Sequence, residues 1–265
     1  MIPTPHSAHD VFHGTHPGET GKNNEDRYGV RNFYGDGGDA VTLAMICDGI
    51  GGNRAGEVAS ELAVNVIAEA VGRSAGSDYG LILDQAVSLA ARSVYDSAQS
   101  RPEYKGMGTT CAVALLVGRR LFTAYAGDSR LYLARRGGII QTTVDHTFVQ
   151  EGIEMGLLTP EEAKSHPHRH VVRRHLGGDP NVKADFRLRL SEGEAPEQSM
   201  RNQGFLLDPG GKLLLCSDGL SDLVEAPEIL AVLNSHNPKG AVDTLIEMAR
   251  DRGGHDNITV IAIYV

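Results

Sequence analysis

The chain has 265 residues, 41% hydrophobic and 22% charged, an ordinary globular composition with enough apolar material for a sizeable core. A formal net charge of -9 without any basic run excludes a general binder of nucleic acid or anionic membrane, since such proteins present a positive field to phosphates. The start MIPTPHSAHDVFHG lacks the features of a secretory signal, and no stretch of about 18 uncharged apolar residues occurs, so the expectation is a cytoplasmic protein with no membrane insertion.

In chain order, β-forming runs predict strands at Tyr28 to Phe33 and Val41 to Ile46. Apolar residues at helical spacing follow at Gly56 to Val71 and Leu81 to Ala98. Strands are then expected at Thr110 to Val117, Leu121 to Ala126 and Arg130 to Ala134. The next expected strands are Phe186 to Leu190, Lys212 to Cys216 and Ile258 to Val265. Short helical patterns lie at Pro160 to Ser165 and Ala226 to Leu233, with a longer one at Ala241 to Arg250, and Ser191 to Gln203 reads as a polar loop. Strands separated by only a few residues favour antiparallel hairpins over βαβ units, which makes the fold class α+β. A single domain is expected over residues 1–265, with an irregular surface excursion, a flap, at about 145–180. Cys47, Cys111 and Cys216 each sit in an apolar run, and an odd count without close spacing suits buried thiols rather than disulfides or zinc.

The chemistry-bearing signal is a repeated context. Asp48 ends VTLAMICD, Asp128 ends LFTAYAGD, Asp218 ends KLLLCSD and Asp256 precedes NITVIAIYV. Glu25 and Asp26 stand just before the first predicted strand, and Asp222 comes four residues after Asp218. One aspartate at a strand end is a turn or cap residue. Seven carboxylates at strand edges, if the edges converge, would repel one another unless cations lay between them. An all-oxygen ligand set points to Mg²⁺ or Mn²⁺. Two such ions roughly 3.5–4 Å apart would activate a bridging water for hydrolysis of a phosphate ester. The glycines after Asp48 fit neither a dinucleotide fingerprint, where Arg54 occupies the third glycine position, nor a P-loop. They suit a tight turn that brings a backbone carbonyl to a metal held by Asp48.

Eight motifs in order then carry a family resemblance: NNED at Asn23, DGIGGNRAGEVAS at Asp48, GMGTT at Gly106, AGDSRLY at Ala126, DHT at Asp145, LLTPEEA at Leu157, SDGLSD at Ser217 and DNITV at Asp256. Together they resemble the metal-dependent type 2C serine/threonine protein phosphatases in their compact bacterial form. The resemblance implies a four-layer sandwich of two antiparallel β-sheets flanked by helix pairs. It implies that Asp48 bridges two metals and that the Gly49 carbonyl binds the second. Asp218 and Asp256 would bind the first, and Glu25 and Asp26 would hold ligand waters or the second metal. Asp128 and Asp222, with Asp218, match a third, weaker metal site. The activity implied is removal of phosphate from phosphoserine or phosphothreonine in proteins, the substrates of a Ser/Thr kinase, by attack of a metal-bridging hydroxide, with a monomeric enzyme.

Two positions depart from the family pattern. Gly21 replaces an arginine that grips the substrate phosphate, leaving Lys22, Arg54 and Arg174 as candidate substrate-binding residues. Ile50 replaces a histidine that protonates the leaving alcohol in eukaryotic relatives; a metal-held water or His255 is the candidate substitute. His166, His168, His170 and His175 lie in the flap, with no cysteine or acid at ligand spacing. They read as a solvated loop touching substrate protein rather than a zinc or nickel site. The alternatives to the phosphatase are a catalytically weak regulatory module that uses the same cleft to bind a partner and a phosphomonoesterase for small molecules.

Overall fold

The computed structural model describes residues 1–51, 55–135 and 137–265. In chain order the elements begin with β1 (Ile2–Pro3), β2 (Asp10–His16), β3 (Arg27–Tyr34), β4 (Ala40–Cys47) and β5 (Gly49–Ile50). Two long helices follow, α1 (Ala55–Arg73) and α2 (Tyr79–Ser100), then β6 (Gly108–Thr109), β7 (Cys111–Val117), β8 (Arg120–Ala126), β9 (Arg130–Arg135) and β10 (Gly138–Gln141). The flap contains α3 (Phe148–Glu154) and α4 (Pro160–Lys164). The chain closes with α5 (Pro196–Arg201), β11 (Phe205–Leu206), β12 (Lys212–Cys216), α6 (Asp218–Ser221), α7 (Ala226–Ser235), α8 (Pro238–Asp251) and β13 (Ile258–Tyr264).

The strands form two antiparallel sheets, ordered β1-β3-β4-β7-β8-β11 and β10-β9-β12-β13-β2, with a small β5-β6 pair beside them. The parity of the strand residues explains the stacking, because successive side chains point to opposite faces. In β4, Leu43, Met45 and Cys47 face a core shared with α1 and α2. Ala44 and Ile46 face the second sheet, where they meet Leu131, Leu133, Leu213, Leu215, Ile261 and Ile263. On the far side of that sheet, Leu214, Cys216, Val260 and Ala262 pack against α7 and α8. Each sheet is covered on both faces, so its central strands are apolar throughout and the layers run helix, sheet, sheet, helix. The α+β sandwich is as expected.

Three local readings need correction. Phe186 to Leu190 forms no strand; the alternation is real, and Leu188 is fully buried, but Leu188 N donates to Ser199 O and Arg189 N to Thr142 O instead of to a partner strand. The expected loop Ser191 to Gln203 contains α5, started by Pro196. Strands β2 and β10 and helix α3 had no strong pattern: β2 reads DVFHGTH and sits at a sheet edge. All three cysteines are buried and free. Among the described residues, no helix is long and apolar enough to cross a membrane.

Candidate active site

The antiparallel registers bring the acid-bearing strand ends together. Cys47 at the end of β4 pairs with Arg27 at the start of β3, placing Asp48 beside the Glu25–Asp26 segment. In the other sheet Cys216 pairs with both Arg130 and Val260, placing Asp218 near Asp128 and Asp256. Two side-chain hydrogen bonds, one between hydroxyls and one from a hydroxyl to a carboxylate, span the sheets at this end. The Thr110 and Ser129 hydroxyls lie 2.7 Å apart, and Thr110 Oγ1 accepts from Asp48 N. Ser217 Oγ donates to Asp26 Oδ2 at 2.7 Å and accepts from Thr259 N.

The result is a cleft of about 510 Å³ lined by Lys22, Glu25, Asp48, Gly49, Asp128, Asp218, Asp222 and Asp256, with His170, Val172 and His175 of the flap, and His255 beside Asp256. Asp26 lies behind the lining, 1% exposed. Asn257, absent from the candidate residues above, ties the wall together: its Oδ1 accepts from Glu25 N at 2.7 Å, its Nδ2 donates to Pro17 O and Asn23 O, and its own N donates to Asp256 Oδ1. Ser217 and Asn257 each adjoin an acid in sequence, and that adjacency is the only signal for them. Gly49 is required by space: a Cβ there would lie 2.3 Å from Gly56 O and 2.7 Å from Glu25 O.

The candidate phosphate-binding residues separate. Lys22 lines the cleft. Arg174 stands at the base of the flap, 3.7 Å from Asp185 and outside the cleft lining. Arg54 lies outside the described residues. Gly21 has φ +74°, a left-handed conformation that a side chain strains.

Electrostatically the cleft is frustrated as bare protein. Burial, reinforced by Asp218 and Asp256, pushes the Asp26 carboxyl up to about 7. Burial, with Asp222 and Asp256 next, does the same to Asp218. Asp48 and Asp128 are driven well above the usual carboxylate range, again by burial first and neighbouring acids second. Asp26 Oδ1 and Asp218 Oδ1 are shut off from solvent with no hydrogen-bond partner among the described residues. An enclosed carboxylate oxygen without a donor is costly unless a cation meets it. The donor set of carboxylates and a backbone carbonyl therefore fits hard divalent ions. A tighter group sits at the flap side, where His170, Asp218 and Asp222 each offer a ligand atom within 4.8 Å of the others.

Residues 16–152 match the family model for protein phosphatase 2C. The serine/threonine protein phosphatase PstP of Mycobacterium tuberculosis is 38% identical over 219 residues, which is 83% of this chain but 39% of that relative, so the chain spans about two fifths of its length. A putative protein phosphatase 2C-type of Streptococcus pyogenes is 32% identical over 254 residues, 93% of this chain and 94% of the relative. The crystal structure of the PstP catalytic domain in complex with two manganese ions superposes with a TM-score of 0.78 at 33% identity, covering 96% of each chain. With two sheets between helix pairs and acids gathered at one edge, this chain belongs to the protein phosphatase 2C family.

Proposed function

We propose that the protein is a metal-dependent phosphatase that hydrolyses phosphoserine and phosphothreonine in other proteins. One observation carries the reading: acids from separate strand ends of both sheets meet at one cleft, and two enclosed carboxylate oxygens, of Asp26 and Asp218, have no hydrogen-bond donor among the described residues. In this reading Asp48, Asp218, Asp256 and the Gly49 carbonyl would hold two Mn²⁺ or Mg²⁺ ions, with Glu25 and Asp26 holding ligand waters or the second ion. Divalent ions at such a site supply charge neutralisation and water activation at neutral pH.

The chain's own contribution is positional. Asn257 fixes the Glu25 backbone and the Asp256 carboxylate, and Ser217 fixes Asp26. Lys22 offers the substrate phosphate a point charge, without the bidentate fork of an arginine, which predicts a weak Michaelis complex. A metal-held water or His255, which also lines the cleft, is the candidate to protonate the leaving alcohol. Thiol chemistry is ruled out by packing: Cys111 and Cys216 are fully buried with burial pushing each thiol up to about 12, and burial drives the Cys47 thiol well above its ordinary value.

The reading includes a cytoplasmic, monomeric enzyme that opposes a Ser/Thr kinase. Phosphate release from a phosphothreonine peptide, a phosphotyrosine peptide and a sugar phosphate, each with Mn²⁺ and with chelator, tests it. Metal-dependent preference for the phosphothreonine peptide supports the proposal; faster turnover of the sugar phosphate makes the enzyme a small-molecule phosphomonoesterase.

A further inference from the structure

The flap histidines are spent differently from what their spacing suggests. His166 and His168 gather around the exposed ring of Phe148, with ring centroids 5.4 and 5.7 Å from it. His170 turns the other way: its Nδ1 lies 3.2 Å from Asp222 Oδ2, and the two share a ligand-sized space with Asp218. Donors in neighbouring positions of an octahedron with bonds of about 2.1 Å stand about 3.0 Å apart, and opposite donors about 4.2 Å. The 3.2 Å between His170 Nδ1 and Asp222 Oδ2 suits neighbouring donors on one ion, and a ligand atom of Asp218 lies within 4.8 Å of both. The enclosed Oδ1 of Asp218 has no hydrogen-bond partner among the described residues, so a plain His170–Asp222 hydrogen bond leaves an acid of the triplet with an unmet oxygen.

We propose that His170 is a metal ligand supplied by the flap, joining Asp222 and Asp218 at the third site and pinning the flap to the core when that site fills. The proposal rests on the phosphatase reading for its two acids; the nitrogen ligand and its consequence for the flap are new. Asp128 lines the same cleft without belonging to the triplet. His170 is held on the flap by its backbone. Val171 N donates to His168 O at 3.1 Å, Phe148 N to Val171 O at 2.9 Å, and Arg173 N to His146 O at 2.7 Å, with Thr147 bridged to Val172. An ion on His170 therefore fixes residues 146–173 over the cleft that Val172 and His175 also line. An imidazole nitrogen also shifts preference from Mg²⁺, which demands oxygen ligands, toward Mn²⁺ and later transition metals.

Mn²⁺ binding followed by the electron paramagnetic resonance signal of the free ion tests this with wild type, His170→Ala and His170→Asp. Trypsin cleavage at Arg169 and Arg173 reports the flap. The expected wild type shows a weak Mn²⁺ step beyond the tight ones, with trypsin protection appearing as that step fills. His170→Ala should weaken that step at least tenfold and lose the protection while the tight steps stand. His170→Asp should recover the step but let Mg²⁺ compete for it. A wild type without the weak step, or an unchanged step and unchanged protection in His170→Ala, overturns the proposal. A wild type that keeps the His170-dependent step yet releases no phosphate from a phosphothreonine peptide would sink the phosphatase reading alone.

Discussion

Replacing Asp185 with asparagine removes one charge and no volume at the base of the flap, and the structure says what that charge does. Asp185 is 8% exposed. Its Oδ2 accepts from Arg187 Nε at 2.8 Å, lies 2.7 Å from a second Arg187 nitrogen and 3.1 Å from His146 Nε2, while Oδ1 accepts from Arg187 N. Gly127 N donates to His146 Nδ1, so the imidazole proton is on Nε2 and points at Asp185. Burial holds His146 below its ordinary pKa, in keeping with a neutral ring. An amide nitrogen meets a donor either way round: in the place of Oδ2 it faces the His146 N–H, and in the place of Oδ1 it faces the Arg187 backbone N–H. Avoiding the clash by moving the proton would cost the bond from Gly127, the neighbour of Asp128. As a charged partner Arg187 would keep Glu154, at 2.9 Å and half-exposed. Breaking a buried ion pair from one side costs about 3–5 kcal/mol, and the retained Glu154 places this case near the lower end. A loss of about 3 kcal/mol corresponds to a melting point lower by about 10 °C for a chain of this size. The pH dependence has a definite sign. Against the unfavourable effect of burial, the bonds from His146 and Arg187 hold the Asp185 carboxyl far below its ordinary value. Its contribution is therefore complete above the unfolded pKa of about 3.9 and is lost as the pH falls from there toward the folded value. Urea unfolding of both proteins at pH 7, 5 and 3.5 should show an equal gap at the first two and a smaller one at the last. An asparagine variant within about 0.5 kcal/mol of wild type at pH 7, or a gap that widens on acidification, would refute this account of the flap base.

Three further outcomes follow from the cleft. Gly49→Ala should lower Mn²⁺-dependent phosphate release by about 100-fold, because its Cβ must displace the backbone of Gly56 or Glu25 and shift the acids they carry; steady-state kinetics beside a circular dichroism spectrum would check it. Gly21→Arg has open space for its Cβ but a left-handed backbone, so thermal melts should show a loss of about 1 kcal/mol, with Gly21→Asn losing less. Cys47, Cys111 and Cys216 should resist a thiol-reactive disulfide reagent in the folded protein and all react in urea, which a timed absorbance trace would read.

What could be read in advance was whatever burial imposed on both sides of an element. The run AVTLAMIC of β4 lies between two cores, so its residues had to be apolar and its strand was plain. Strand β2, with His13 and Gly14 at a sheet edge, had no such constraint, and helix α3 is a single short stretch, FVQEGIE, capped by Thr147. The alternation in FRLRL reported a buried Leu188 faithfully but could not report that no strand would come to pair with it. At the site, Asp48, Asp128, Asp218 and Asp256 were legible because each stands where an apolar run stops or starts. His170 was not, since its partner Asp222 is 52 residues away and the contact exists only because the flap folds back onto α6. Arg174 looked like a free cation in sequence; the fold places it beside Asp185 at the flap base.

The most direct test of the central claim is phosphate release from a phosphothreonine peptide by wild type and Asp218→Asn, each with Mn²⁺ and with excess chelator. The strand-end carboxylates as a metal-dependent hydrolytic centre predict wild-type turnover that vanishes with chelator and returns with Mn²⁺. They also predict that the folded Asp218→Asn protein is slower by at least roughly 1000-fold, because loss of one such acid removes charge stabilisation worth about 4 kcal/mol at the transition state. Chelator-resistant turnover, or an Asp218→Asn protein as fast as wild type, would contradict it.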